Sequence, residues 1–389
     1  MINASQDFVA AMTSPVIEVY VRLELLDKDE KHIQYIEQKV GSDNIGDISV
    51  DSTRDIRRMF TITLDNSEGQ FTWNEGGLIW IDNKLVKLFI GLKTITGIEY
   101  VPQGVFVISQ PEATHKPNAN TVTINGQDKW YLLTGNFGKF THITTVNKGT
   151  KISEAIKIIA GNAGVTKMII DDADAVLPYD LTYQIGQNRG QALKDLADKA
   201  FTDDERAYEV FYDVNGYLRF TPVKDPLSEA PVWSYKVDND TLYAGSSRKL
   251  DDTELFNHIL VFGGSSNTAE FRTEIIVTEQ DPKWTGSPYT IEQIGDRMFA
   301  YNDGNPDSNI DTQSQCDARA AFELKKRLQY TEKTSFDLAP NYLHESNDII
   351  EIVDEKNGVF GNYQLKSFSV PIKPKLISAE AWKVRKVIS

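Results

Sequence analysis

Five histidines, His32, His115, His142, His258 and His344, are the residues best suited to shuttle protons or bind a transition metal. They are scattered, and the chain contains neither an HExxH pair nor the Cys/His spacing of a zinc site. His258 lies within the apolar run FNHILVF, so a packed or hydrogen-bonded strand residue is expected there and not a general base. The one cysteine, Cys316, falls on the apolar stripe of a helical pattern, where a buried, inert thiol is expected. A lone cysteine also excludes an internal disulfide framework. Nucleophile elbows of the GxSxG type and GxxxxGK[ST] phosphate loops do not occur, and GGSSN at 263–267 lacks the phosphate-loop lysine and is read as a hairpin connection.

Carboxylates cluster at Asp171, Asp172 and Asp174 and again at Asp203, Asp204 and Glu205, each group beside a predicted helix end. Solvated loop faces explain both, since a glycosidase needs two carboxylates at a set separation across a cleft. In DGNPDSNID, Asp303, Asn305, Asp307, Asn309 and Asp311 alternate as calcium ligands do. However, Ser308 stands where the sharp-turn glycine belongs, Ser314 where the bidentate acid belongs, and Pro306 stiffens the loop. The expectation is therefore no catalytic residue, no cofactor site and no metal site. Of the six tryptophans, Trp73, Trp80 and Trp284 are candidates for exposure and offer stacking platforms for a sugar or receptor.

The elements that would hold any such residues are mostly strands. In IEVYVRLEL, Ile17, Val19, Val21, Leu23 and Leu25 share one face, and further strands are predicted at residues 32–36, 60–64, 85–90, 105–109 and 121–125. Helical spacing replaces alternation over residues 152–163, with Thr150 as N-cap and Gly164 as stop, and again over 189–201. AYEVFYDVNGYLRFTPV then reads as a hairpin whose Asn215-Gly216 pair supplies positive φ angles. Strand character returns with FNHILVFGG and EFRTEIIV and again from TSFDLAP to AEAWKV. A helix lies between them, started by Ser314 and Asp317 and carrying Cys316, Ala320, Leu324 and Leu328 on its buried stripe.

With 389 residues and 40% apolar content, the chain has material for several cores, and the fold class expected is α+β, mainly β. The formal net charge of −15 argues against a broad phosphate-gripping surface, so no sequence-specific nucleic-acid binding is expected. Acidic walls would also keep a passing nucleic acid from sticking. The N-terminus lacks a secretory pattern and no apolar stretch is long enough to span a bilayer, so neither export by that route nor membrane insertion is expected.

An internal echo organises these elements. LVKLFIGLK, GVFVISQPE and NTVTINGQDKW near residues 85–130 parallel DIIEIVDEK, GNYQLKSFS and KLISAEAWKV near residues 348–384 in order and spacing. Turn chemistry alone imposes part of such a likeness. The division expected is a first β-barrel domain over residues 1–135, an α+β domain over 136–245, and a second β-barrel domain over 246–389 that carries an inserted loop and helix at about 279–330.

RDIRRMFTITLDNSEGQF, the segment from PNYLHESNDIIEIVD to GNYQLKSFSVPI, and the intervening helices and hairpin together resemble the tail-hub family. This family comprises the trimeric baseplate hubs of contractile-tailed bacteriophages and related tail-tip proteins of long-tailed phages. The resemblance implies two similar β-barrels around inserted α+β material and a homotrimer that adapts a sixfold tail tube to a threefold spike around the DNA ejection channel. It also implies contacts with a tail tube or distal tail protein and a central spike or tail-tip protein. Synthesis would take place in the bacterial cytoplasm and residence in the virion. Many relatives continue into a peptidase, lysozyme or spike region, whereas this sequence stops at AWKVRKVIS. A receptor- or carbohydrate-binding tail-tip protein and a tail-associated cell-wall hydrolase are the alternatives.

Overall fold

A computed structural model describes the chain except residues 42–44, 70, 72–84, 118, 178–179, 201–206, 227, 238–242, 266–267, 308–309, 311 and 387–389. After a short helix α1 (Gln6–Met12), capped by the Ser5 side chain, come β1 (Val19–Leu26), β2 (His32–Lys39), β3 (Ile45–Asp51) and β4 (Arg58–Asp65). β5 (Leu85–Lys93), the long β6 (Ile98–Lys116) and β7 (Ala119–Asp128) follow as an antiparallel meander. Alternation dictates this: Val19, Val21, Leu23 and Leu25 point inward from β1, while Phe60, Ile62 and Leu64 do so from β4.

The middle of the chain holds β8 (Thr144–Val146), α2 (Ile152–Asn162), β9 (Met168–Ile170), β10 (Leu181–Tyr183) and α3 (Arg189–Lys199), then β11 (Tyr208–Tyr212) and β12 (Leu218–Pro222). Ile156, Ile159, Leu193 and Leu196 on the two helices pack with Tyr208 and Phe220 into a core of their own. Helix α2 starts from Lys151 without a side-chain cap, so Thr150 does not play the expected role. The β11–β12 turn also differs from the expected two-residue form. Gly216 takes φ +78° but Asn215 stays out of the positive region, and Asp213 Oδ1 accepts from the amides of Asn215 and Tyr217 at 2.9 Å each.

β13 (Trp233–Lys236), β14 (Tyr243–Asp251), β15 (His258–Ser265) and β16 (Thr268–Ile276) lead into the helical turn α4 (Ile291–Ile294), β17 (Met298–Ala300) and helix α5 (Gln313–Arg327). α5 packs Cys316, Ala320 and Leu324 against Ile259 and Val261 of β15 in a third core. Its N-cap is Thr312, which accepts from Gln315 N, and not Ser314. The chain ends with β18 (Gln329–Leu338), β19 (Ile349–Asp354), β20 (Val359–Pro371) and β21 (Ile377–Lys386).

Where two separate barrels were expected, the pairing among the described residues forms one 13-stranded sheet in the order β14-β18-β21-β20-β3-β4-β7-β6-β5-β1-β2, with β13 on β19 and β19 on β20. Its halves meet where Ser367 to Pro371 of β20 pair antiparallel with Asp51 to Asp47 of β3. A single apolar core runs through both, from Phe8 and Ile48 to Phe368 and Ile372, which is why neither half is a closed unit with its own interior. The echo read from the sequence is present as topology. β3-β4-β7-β6-β5 on one side repeats as β14-β18-β21-β20-β19 on the other. The next strand departs from the repeat, because β1 lies antiparallel on β5 whereas β13 lies parallel on β19.

Candidate functional site

The residues singled out for chemistry are dispersed, and several of those described are already paired or buried. His258 is buried on β15 between two carboxylates, its Nδ1 2.9 Å from Asp296 and its Nε2 3.0 Å from Glu274. Burial works to lower its pKa, but the two carboxylates outweigh it and hold the pKa above the ordinary value. Cys316 is fully buried, with Sγ 3.5 Å from the Val261 carbonyl oxygen. Asp172 is held by Lys151 at 2.7 Å and Ser153 at 3.1 Å, and Asp171 accepts from Thr221 at 2.6 Å. Asp203, Asp204 and Glu205 lie outside the described residues.

In the DGNPDSNID loop, Asn302 and Asp303 adopt φ of 54° and 53°, and Asp307 accepts from the Tyr301 hydroxyl at 3.0 Å. Asn309 and Asp311 lie outside the described residues, as do Trp73 and Trp80. Trp284 is a correction: it is 3% exposed and packs in the α5 core, so it offers no stacking platform. Among the described residues no group of three His, Cys, Asp or Glu could hold a metal ion. A cleft between the α2 region and α5 is lined by Ile152, Val176, Leu177, Lys199, Tyr301 and Arg319. Arg319 contacts Glu323 there at 2.7 Å and the Tyr301 ring, 4.2 Å from its centroid.

What the structure does concentrate is the junction between the sheet halves. The N-terminal amine of Met1 reaches Asp348 at 2.9 Å, Lys224 reaches the same carboxylate oxygen at 3.1 Å, and Ile2 N donates to Leu343 O at 2.7 Å. Asp348 is fully buried. Burial alone would raise its pKa, but His344, the N-terminal ammonium and Lys224 hold it well below the usual carboxylate range. His344, 3% exposed, contacts the Tyr235 hydroxyl through Nε2 at 2.6 Å, and burial pushes its pKa down.

A second node ties three parts of the chain together. Arg57 before β4 pairs with Glu209 of β11 at 2.7 Å, Asn347 donates to Glu209 at 2.6 Å, and Lys366 of β20 donates to Asn347 at 3.1 Å. Burial pushes the Lys366 ammonium down to about 8, with Glu209 acting the other way. Beside this node Ser52 N donates to Lys366 O at 2.8 Å, and Gln103 Nε2 donates to Tyr342 O at 2.9 Å. These contacts, buried or half-buried and several of them charge-assisted, tie together segments remote in sequence.

Sequence reading missed the two strands that matter most for this junction and its counterpart, β3 and β14. In IGDISVD only Ile48 and Val50 point into the core, and YAGSSRKLD shows no apolar alternation at all. The one local signal was Gly46. Its φ is +137°, and a Cβ there would sit 2.1 Å from the Thr61 carbonyl oxygen, which marks close backbone approach within a sheet.

No protein-family model and no curated protein matches the sequence. Solved structures do match in fold. A tail protein from Neisseria meningitidis MC58 aligns with a TM-score of 0.60 at 11% identity, covering 93% of this chain and 96% of that one. The 43 kDa tail protein of prophage MuSo2 from Shewanella oneidensis aligns at 0.56 and 12% identity, covering 93% and 98%. Prophage tail protein gp18 from Listeria monocytogenes aligns at 0.52 and 14% identity, covering 94% of each chain. Over nearly its whole length, this chain has the fold of phage tail proteins.

Proposed function

We propose that the chain is a non-enzymatic structural hub of a phage tail tip or baseplate. In this reading three copies form a ring that presents six β meanders to a sixfold tail tube and a threefold face to a spike, with the DNA path through the centre. The observation that carries it is the repeated strand order within one sheet, in a chain whose fold matches tail proteins over 93% of its length. Duplicating a meander inside each chain reconciles a threefold assembly with a sixfold partner. We divide the chain accordingly into residues 1–135, 136–245 and 246–389, with the α5 insertion at about 279–330.

The acidic balance of −15 suits a channel wall that repels phosphate. Partners on this reading are the tail tube or distal tail protein above and a spike or tail-tip protein below. The carbohydrate-binding alternative loses one of its three platforms with the burial of Trp284. Sedimentation equilibrium tests the reading: a trimer, or a monomer driven to a trimer by a tube or spike protein, supports it. A monomer indifferent to both, combined with binding on a glycan array or turnover of cell-wall fragments, rejects it.

A further inference from the structure

The intrachain joint has a counterpart that no strand occupies among the described residues. β20 pairs with β19 through Gln364 and then, on the same edge, with β3 from Ser367 onward, because Ser367 faces Asp51 on one side and Glu380 of β21 on the other. β6 is built the same way. It pairs with β5 as far as Val107, passes a bulge between Ser109 and Glu112, and continues to Lys116 beside β7. Among the described residues, no strand occupies the β5-side edge of Glu112–Lys116. The strand equivalent to β3 in the second half is β14, which among the described residues pairs with β18 on one edge and with no strand on the other.

We infer that Glu112–Lys116 of β6 pairs antiparallel with β14 of a second copy of this chain, repeating between copies the β20–β3 joint found within one. The inference rests on the ring reading above and names its interface. The register follows from the pairing. Among the described residues, Gln364 and Val107 are the last of β20 and β6 to pair with β19 and β5. Across the sheet, Gln364 leads through Trp382 and Lys333 to Lys249, and Val107 leads through Gln127 and Met59 to Ser49. Ser49 and Lys249 are therefore counterparts. In the joint Ser49 faces Ser369, five residues beyond Gln364 (369 − 364), and the residue five beyond Val107 (112 − 107) is Glu112.

Glu112 thus falls opposite the partner copy's Lys249, an opposite-charge cross-strand pair, and Thr114 falls opposite the partner copy's Ser247. β14 is held rigid for this role from its covered side. Tyr243 and Ser246 donate to Asp354 at 2.8 and 2.6 Å, and Arg248 pairs with Glu332 at 2.9 Å. The Ser246 carbonyl accepts from Asn357 Nδ2 at 3.2 Å, and the other N–H and C=O groups of this preorganised edge, paired with no second strand among the described residues, are a template for an added strand. The pairing is head-to-tail, so each copy offers one β6 edge and one β14 edge, and such a contact closes only as a ring.

The test combines Thr114→Cys with Ser247→Cys in the full chain, whose native Cys316 is fully buried. Mild oxidation is expected to give covalent trimers on a non-reducing gel from the double variant and none from either single variant. A charge swap checks register independently. Glu112→Lys is expected to raise the trimer dissociation constant by roughly 2- to 5-fold, and adding Lys249→Glu is expected to restore it. A trimer by sedimentation that neither cross-links nor responds to the swap overturns this interface while leaving the ring reading intact, with Lys116 and Lys249 then merely blunting two edges. A chain that stays monomeric with tube and spike proteins present overturns both.

Discussion

The joint between β20 and β3 and the open edges of β6 and β14 are the same architectural position in two conditions. At the joint the strand is covered: Ile48 and Val50 are buried at 0% and 1%, and a Cβ on Gly46 would run into the backbone of β4. At the open counterpart Leu250 is 58% exposed, and a Cβ on Gly245 would meet nothing within 4 Å. The strand order alone does not separate the two sites, since it repeats. What separates them is the clamp around the joint, built from the N-terminal amine, Asp348, Lys224 and the Arg57, Glu209, Asn347 and Lys366 node. Closing an edge inside one chain is therefore a matter of side chains brought from far away in sequence, and its twin is the edge we propose a second copy covers.

The largest blow to the closed site is expected from Asp348→Asn, which removes a fully buried carboxylate from the half-buried N-terminal ammonium and Lys224. Urea unfolding should show a loss of about 3 to 5 kcal/mol. Ile48→Ala comes next, at about 2 to 4 kcal/mol for a fully buried side chain, whereas Leu250→Ala on the open edge should stay within about 0.5 kcal/mol. Equal costs for these two would erase the distinction between the sites. Gly46→Ala should cost about 1 to 3 kcal/mol through strain and the Thr61 contact, and Gly245→Ala should be tolerated.

The mildest test is pH. His344 is neutral in the fold and its pKa is lowered from 6.5, so the unfolded chain takes up its proton first and stability falls as pH drops below 6.5. The slope from this group is at most about 1.4 kcal/mol per pH unit. Asp348 adds to the same trend at lower pH. Its folded pKa is depressed, so its contribution is present above the unfolded value of 3.8 and is lost as pH falls through the folded one. His344→Phe should flatten the upper part of this profile.

The sequence disclosed those parts whose burial is written in local periodicity. The meanders of β5 to β7 and β19 to β21, helices α2, α3 and α5, the buried Cys316 and the bonded His258 all follow from alternation or a helical stripe. It concealed whatever depends on a partner remote in the chain. β3 and β14 have too few apolar residues to announce themselves, because one gains its second neighbour from more than three hundred residues away and the other has none among the described residues. The expected barrels dissolve into one sheet for the same reason: the edge that would have closed the first half is taken by β20. Thr150, Ser314 and Asn215 were plausible by residue type, yet Lys151, Thr312 and the Asp213 carboxylate occupy those roles.

Single-particle imaging of the assembled protein decides the matter most directly. The account predicts a threefold ring in which β14 of each copy runs antiparallel beside the outer half of β6 of the next, so that joints within and between chains alternate around one rim. A ring whose subunits touch elsewhere, with both strand edges facing solvent, contradicts it.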